Sequence, residues 1–338
     1  MEQIGTSYVL RGERAALAPI GIGLIGLGRH GMRYARHLLE PLPNARLVAV
    51  CRRTAAQGSA FAADHSVKFY QDYHDLIADS NVEAVVVATP PSATLPICLD
   101  AVHARKPVLI EKPLAPSGAE AREMVRAAES YGTPLMTAQT LRFDSAVSAL
   151  KAELASVGPR QYLVLTNRIE PRRELTRTPA DYAGRGVLLE IGIHLLDLVR
   201  FLTGEEVVEV RCDMDGSTPK QPESRALVSL WTAGGLPCIV DVSRVSAGRV
   251  SRAEWVGMDG QLIADWVRHR LSKISSGNAL DEKTLEDRPT IVATLQAFLD
   301  ALGRGAPMPI TGLDGQRAVE IADACYQSAA TGKAVRLG

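Results

Sequence analysis

The sequence predicts an α/β protein of two lobes, an N-terminal doubly wound parallel sheet followed by a C-terminal α/β domain with a large, open, mostly antiparallel sheet. Three observations predict it. Short apolar runs alternate with longer amphipathic stretches from Ile20 to Met136. After about residue 150 the rhythm changes to long stretches of strand composition. The length, 338 residues, asks for about two domains at roughly 150 residues each.

In the first half, IGIGLIGLG is followed by HGMRYARHLL, ARLVAVC by AAQGSAFAADH, EAVVVAT by ATLPICLDAVHA, and PVLIE by SGAEAREMVRAAES before PLMTA. These strand candidates are continuously apolar, as expected where helices cover both faces of a parallel sheet. Pro43-Asn44, Pro90-Pro91, Pro107 and Gly132 supply turns between them. In the second half RQYLVLTNRIE, VVEVRCDMD, RALVSLWTA, CIVDVSRVS and SRAEWVGMD read as strands, with an apolar helix near Gly186 to Leu202. The expected division is 1–140, with 1–18 as an N-terminal arm, and 141–338. The helical runs Ile291 to Leu302 and Gly315 to Ala330 are expected to pack back onto either lobe. One face of an antiparallel sheet has to be solvated or covered by a second subunit, so a homodimer or homotetramer through that sheet is expected.

Composition excludes several classes. With 46% hydrophobic and 22% charged residues the chain resembles ordinary globular proteins. Lys plus Arg equal Asp plus Glu at 38 each, so no basic excess exists to neutralise nucleic acid or an anionic membrane. The five cysteines stand singly, without the spacing of a zinc cage or a disulfide framework, which suits a reducing cytoplasm and no metal. No apolar run approaches the roughly 18 residues of a membrane span. The first 16 residues mix acid and base where a secretory signal would place an apolar block.

The first strand runs into Gly26-Leu27-Gly28-Arg29-His30-Gly31, a G-x-G-x-x-G opening a helix-compatible stretch. Gly26 permits the tight turn, Gly28 lets the backbone approach a pyrophosphate at the helix N-terminus, and Gly31 lets the helix sit close on the strand. In a run of βα units this marks a Rossmann dinucleotide site. About 20 residues on, where an NAD enzyme places a carboxylate for the ribose 2′-hydroxyl, stand Arg52 and Arg53. Two solvated loop arginines would also read this way, but a guanidinium suits a 2′-phosphate, so NADP is expected in preference to NAD.

Two later motifs complete a pattern. PVLI ends in Glu111-Lys112-Pro113, and a helix reads GRGVLLEIGIHLLD from Gly184 to Asp197. With the glycine turn, Ala88-Thr89-Pro90 and the closing QSAATGKAVRL, the chain resembles the Gfo/Idh/MocA oxidoreductases from about Ile20 to Leu337. The resemblance implies a Rossmann lobe, an open-sheet second lobe, and oxidation or reduction of a sugar, cyclitol or related carbonyl. It also implies that Lys112 lies beside the nicotinamide and the reacting oxygen, with Gly26, Gly28, Arg29, His30, Gly31, Arg52, Arg53, Thr89, Pro90, Glu111 and Lys112 along the cofactor. Independently, a lysine at the carboxyl end of a parallel strand points into the ligand crevice, where Glu111 can orient it or balance its charge.

Glu190 and His194 are four apart and Asp197 three beyond, so a regular helix would place them on one face. Histidine exchanges protons well near neutral pH. A satisfied core histidine is the plainer alternative, yet Gly192 weakens the helix by about 1 kcal/mol, which close approach of a ligand would explain. The expected catalytic set is Lys112 polarising the reacting oxygen, His194 exchanging its proton and Glu190 tuning the pair. Family members commonly carry Asp in place of Glu190 and glycine in place of Arg185, and often a histidine near Thr94. Arg168, Arg172, Arg173, Arg177 and Arg185 form either an anion clamp for substrate or a solvated, intersubunit arm. Lys112, Arg142, Arg168, Glu190 and His194 make up the expected substrate site; Gln139, Arg142 and Phe143 are placed on its wall by position alone. Two rivals remain open: a glycoside hydrolase with tightly held NAD on the same fold, and a non-catalytic dinucleotide-binding sensor.

Overall fold

A computed structural model describes residues 19–40, 42, 44–171, 179–216 and 222–338. The N-terminal arm and Arg172, Arg173 and Arg177 lie outside the described residues.

Six parallel strands form the first sheet: β1 (Ile20–Ile25), β2 (Ala45–Cys51), β3 (Lys68–Tyr70), β4 (Ala84–Val87), β5 (Val108–Glu111) and β6 (Leu135–Ala138), in the order β3-β2-β1-β4-β5-β6. The crossover helices are α1 (Arg29–Leu39), α2 (Ala55–His65), α3 (Tyr73–Ala78), α4 (Thr94–His103) and α5 (Gly118–Tyr131). All four residues of β4 are buried, because helices cover both faces. The order reverses between β1 and β4, and a crevice opens at the carboxyl ends there. β3 and α3 are absent from the sequence reading, since a three-residue edge strand carries too little periodicity to register.

The chain then passes through α6 (Ser145–Glu153) into a nine-stranded sheet. Its strands are β7 (Arg160–Arg168), β8 (Val207–Met214), β9 (Arg225–Thr232), β10 (Pro237–Ser243), β11 (Val250–Gly257), β12 (Gly260–Asp265), β13 (Arg270–Ser275), β14 (Leu280–Thr284) and β15 (Val335–Arg336). Their order is β14-β13-β12-β11-β7-β10-β9-β8-β15, and only β7 with β10 pairs in parallel. β12, β13, β14 and β15 are additions to the strands read from sequence, and β14 is exposed throughout, so it lacks the apolar alternation that marks a half-buried strand.

Alternation decides the faces of this sheet. Ala226, Val228 and Leu230 of β9 and Val240 and Val242 of β10 point inward, onto α7 (Ile193–Thr203) and α9 (Gly312–Thr331), where Leu195, Leu198, Val319 and Ala322 are also buried. Each of the valines and leucines contributes roughly 1.5–3 kcal/mol of burial. The opposite face leaves Tyr162, Leu227, Trp231 and Ile239 between 36% and 48% exposed. α8 (Thr290–Arg304) and α9 return to the first lobe: Phe298 and Leu299 join the core around Leu24 and Tyr34, and α9 packs against α5 and β6.

Candidate active site

The glycine turn has the local geometry that its sequence demands. Gly26 has a φ of +102°, which disfavours any side chain. A Cβ on Gly31 would fall 1.7 Å from the carbonyl oxygen of Gly26, so only glycine lets α1 approach β1 this closely. Gly28 is different: nothing lies within 4 Å of where its Cβ would be, and it starts α1 without a side-chain cap. The first-turn N–H groups of an 11-residue helix therefore remain available to an anion.

From this turn a cleft of about 880 Å³ runs along the carboxyl ends of the strands. Gly26, Gly28, Arg52, Arg53, Thr89 and Pro90 line it. Arg52 donates a 2.5 Å hydrogen bond to the carbonyl of Leu27, bracing the turn, while Arg53 is exposed at the cleft. Asp72 also lines the cleft, but His74 donates to it from its backbone and lies 2.6 Å away through its ring, which holds the carboxyl below the ordinary range. Buried Thr89 Oγ1 has no hydrogen-bond partner among the described residues. A pyrophosphate-bearing dinucleotide fits these features. Arg29 is exposed at the start of α1 and is not among the residues lining the cleft, whereas His30 lines a recess with Thr89, Glu111, Lys112 and Tyr182 that adjoins it.

Lys112 follows the last residue of β5, so the sheet delivers its side chain to this recess. Its Nζ donates to the backbone carbonyl of Glu190 at 2.7 Å, tying the first lobe to the second. Glu111 is held by the hydroxyl of Tyr34 on α1 at 2.8 Å and accepts from the Lys112 backbone N–H at 3.1 Å. Burial and the facing Glu111 carboxylate push the Tyr34 hydroxyl well above its ordinary value, so it stays protonated and donating.

Glu190 does not lie on a regular α-helix. Leu188–Gly192 forms a π turn that leads into α7. Such wide turns favour i→i+5 pairing and recur at functional sites. The turn is anchored by buried Glu223, which accepts from the backbone of Gly186 at 2.9 Å and Leu188 at 3.0 Å and from the Tyr326 hydroxyl at 2.7 Å. The Glu190 carboxylate meets Arg244 at 3.2 Å. On α7, His194 Nδ1 lies 3.1 Å from Oε1 of Gln139, which follows β6. Burial first, then the positive charges of Lys112 and His30, hold His194 well below its ordinary value of 6.5. Lys112 thus reaches from the recess to the backbone of the π turn that leads into α7, and its charge acts on the His194 ring.

Several expectations are corrected. Asp197 shares no catalytic face with Glu190: it is 1% exposed and pairs with Arg142 through bonds of 2.7 and 2.6 Å. Arg142 also reaches Asp314 at 3.1 Å, so it is a tie between α7 and α9 and not an open substrate clamp. Arg168 is on the outer face of the second sheet, paired with Asp241 of β10, because alternation along β7 turns it away from the helices. Arg185 bonds to the Pro116 carbonyl and Asp323 and stacks on Tyr326, 4.7 Å from the ring. Gly192 is explained by packing: a Cβ there would lie 2.9 Å from Leu188 and 3.1 Å from Val242. Thr94 is buried, its hydroxyl between the carbonyls of Pro91 and Leu114. Sequence reasoning missed Tyr34, Glu223 and Arg244, whose partners lie 77, 37 and 54 residues away, with no local signal.

Comparison with known proteins identifies both lobes. Residues 20–139 match the oxidoreductase family with NAD-binding Rossmann fold, and residues 160–263 match the Gfo/Idh/MocA C-terminal domain. An inositol 2-dehydrogenase of Rubrobacter xylanophilus is 30% identical, over 96% of this chain and 94% of its own. A myo-inositol 2-dehydrogenase of Thermotoga maritima is 28% identical, over 94% and 98%. An oxidoreductase from Agrobacterium radiobacter, solved with NAD+, L-tartaric acid and magnesium, shares the fold at a TM-score of 0.83 with 23% identity, over 94% of this chain and 98% of its own. With a cleft that fits a dinucleotide and with both lobes matched, the chain belongs to the Gfo/Idh/MocA family of NAD(P)-dependent oxidoreductases.

Proposed function

We propose that this enzyme interconverts an alcohol and a carbonyl on a sugar, cyclitol or related polyol, with NADP favoured over NAD. One observation carries the reading: Lys112, in the recess that adjoins the cleft, donates to the backbone of the π turn that leads into α7 and His194, 82 positions further along the chain, and its charge acts on that ring. The nicotinamide, when bound, accepts or gives hydride at C4. Lys112 stabilises negative charge on the reacting oxygen. His194, uncharged at neutral pH, takes the hydroxyl proton during oxidation and returns one during reduction. Glu190, countered by Arg244, binds a neighbouring hydroxyl without adding a free charge.

The inositol dehydrogenases among the relatives support a polyol substrate. Arg53, exposed at the cleft, supports NADP, as does the absence of a carboxylate directly after β2. Purified protein screened with NADP and NAD against cyclitols, sugars and sugar acids should form reduced nicotinamide in proportion to product. Turnover with no net cofactor change would indicate hydrolysis, and equal or tighter binding of NAD would refute the preference. The exposed Tyr162, Leu227, Trp231 and Ile239 support pairing of copies through the outer sheet face, and five free, buried cysteines suit a cytoplasmic location. Sedimentation of wild type and Ile239→Arg tests the pairing, since a monomeric wild type is incompatible with it.

A further inference from the structure

We propose that Gln139 is the positioning residue of the proton-transfer histidine: its amide oxygen accepts from Nδ1–H of His194 and holds the tautomer whose Nε2 is bare. The inference rests on the reading of His194 as the proton-transfer group.

Gln139 is 1% exposed and its carbonyl oxygen is 3.1 Å from Nδ1. Its Nε2 is buried with no partner among the described residues, so the amide satisfies the histidine while its own donor goes unmatched. The segment that carries it is fixed. Gln139 N–H donates to Thr137 at 2.9 Å, Arg142 N–H donates to the Gln139 carbonyl at 3.1 Å, and the Arg142 side chain grips Asp197. Residues 139 and 142 therefore hold α7 at 194 and 197, one helical turn apart, which sets both the position and the rotation of the imidazole.

An amide is chemically suited here. His194 faces Lys112 from the end of β5 and His30 from α1; Glu190 from the π turn is countered by Arg244, and Asp197 by Arg142. A carboxylate at 139 would stabilise the imidazolium and raise the pH at which the ring takes up a proton. The neutral amide accepts the same Nδ1–H bond in both states of the ring. In oxidation the substrate hydroxyl proton moves to Nε2, giving an imidazolium that still donates from Nδ1 to Gln139. Reduction runs the same transfer backwards, and no proton passes to the amide.

The test uses the full chain with histidine rings labelled for nuclear magnetic resonance, His194 being assigned by the signal lost in His194→Gln. Gln139→Glu keeps shape and acceptor but adds charge. It should raise the His194 titration, and the acid limb of kcat/KM, by about one pH unit. Gln139→Met removes the acceptor and should lower kcat about tenfold to hundredfold with KM nearly unchanged. Unmoved titration in Gln139→Glu, or equal losses in folding and KM with kcat intact in Gln139→Met, would overturn the assignment. The resonance titration needs no turnover. If no polyol is oxidised but the titration follows Gln139→Glu, the dehydrogenase reading fails while the His194–Gln139 tie stands.

Discussion

Lys112 Nζ donates a 2.7 Å hydrogen bond to the main-chain oxygen of Glu190, joining the end of a parallel strand in one lobe to a π turn in the other. A carbonyl holds the ammonium in place without neutralising it. Lys112→Met is accordingly expected to reduce kcat by about two to four orders of magnitude while leaving the dissociation constant for NADP within a few-fold. Stopped-flow and equilibrium fluorescence measurements separate the two, and loss of cofactor binding with normal turnover would contradict the role.

The proposed NADP preference separates the two arginines after β2. Arg52 braces the Leu27 carbonyl, so its removal disturbs either dinucleotide. Arg53→Ala should weaken NADP by about 10- to 100-fold, the worth of a charge-assisted hydrogen bond, and leave NAD unchanged. Calorimetric titration with both cofactors decides it; parallel losses would mean that Arg53 does not meet the 2′-phosphate.

The glycines of the turn are separable. Gly28→Ser meets open space and supplies a favoured helix cap, so melting temperature should hold or rise while NADP affinity drops at least tenfold. Gly31→Ala meets a carbonyl oxygen at 1.7 Å and should lose several kcal/mol of stability. The reverse outcome would place the pyrophosphate elsewhere.

His194 links stability to pH with a definite sign. Its folded value lies well below the 6.5 of the free side chain, so below about pH 6.5 the unfolded chain binds a proton that the folded chain does not. Stability contributed by the neutral ring is present above pH 6.5 and lost as pH falls toward the folded value. The slope is at most about 1.4 kcal/mol per pH unit for one group. Urea denaturation between about pH 5.5 and 7.5, about one unit on either side of 6.5, should give a flatter profile for His194→Gln than for wild type. Identical profiles would show that burial does not hold the ring neutral.

The Arg142–Asp197 pair is buried and strips badly. Asp197→Ala alone leaves a guanidinium without its main partner and should cost about 3–5 kcal/mol, whereas the double change Arg142→Met with Asp197→Leu should recover much of that. Denaturant midpoints check it, and additivity of the two single changes would argue against their coupling.

The sequence by itself determined the two lobes and the glycine turn, because each depends on local rules, and it named Lys112, Glu190 and His194 as candidates through a motif pattern. Apolar runs specify strands whatever lies around them, and Gly26, Gly28 and Gly31 answer steric demands of neighbouring backbone. Tertiary structure alone decided which groups meet. Asp197 is three residues from His194 yet serves Arg142, and Arg168 leaves the expected site because β7 alternates. The π turn and the Glu223 anchor came from contacts tens of residues away. Gln139, named from sequence only as wall, comes within hydrogen-bond reach of His194 because the end of β6 packs beside that ring. Local sequence fixes backbone periodicity, but hydrogen bonds and ion pairs form at about 3 Å, a distance set only once sheets and helices have packed.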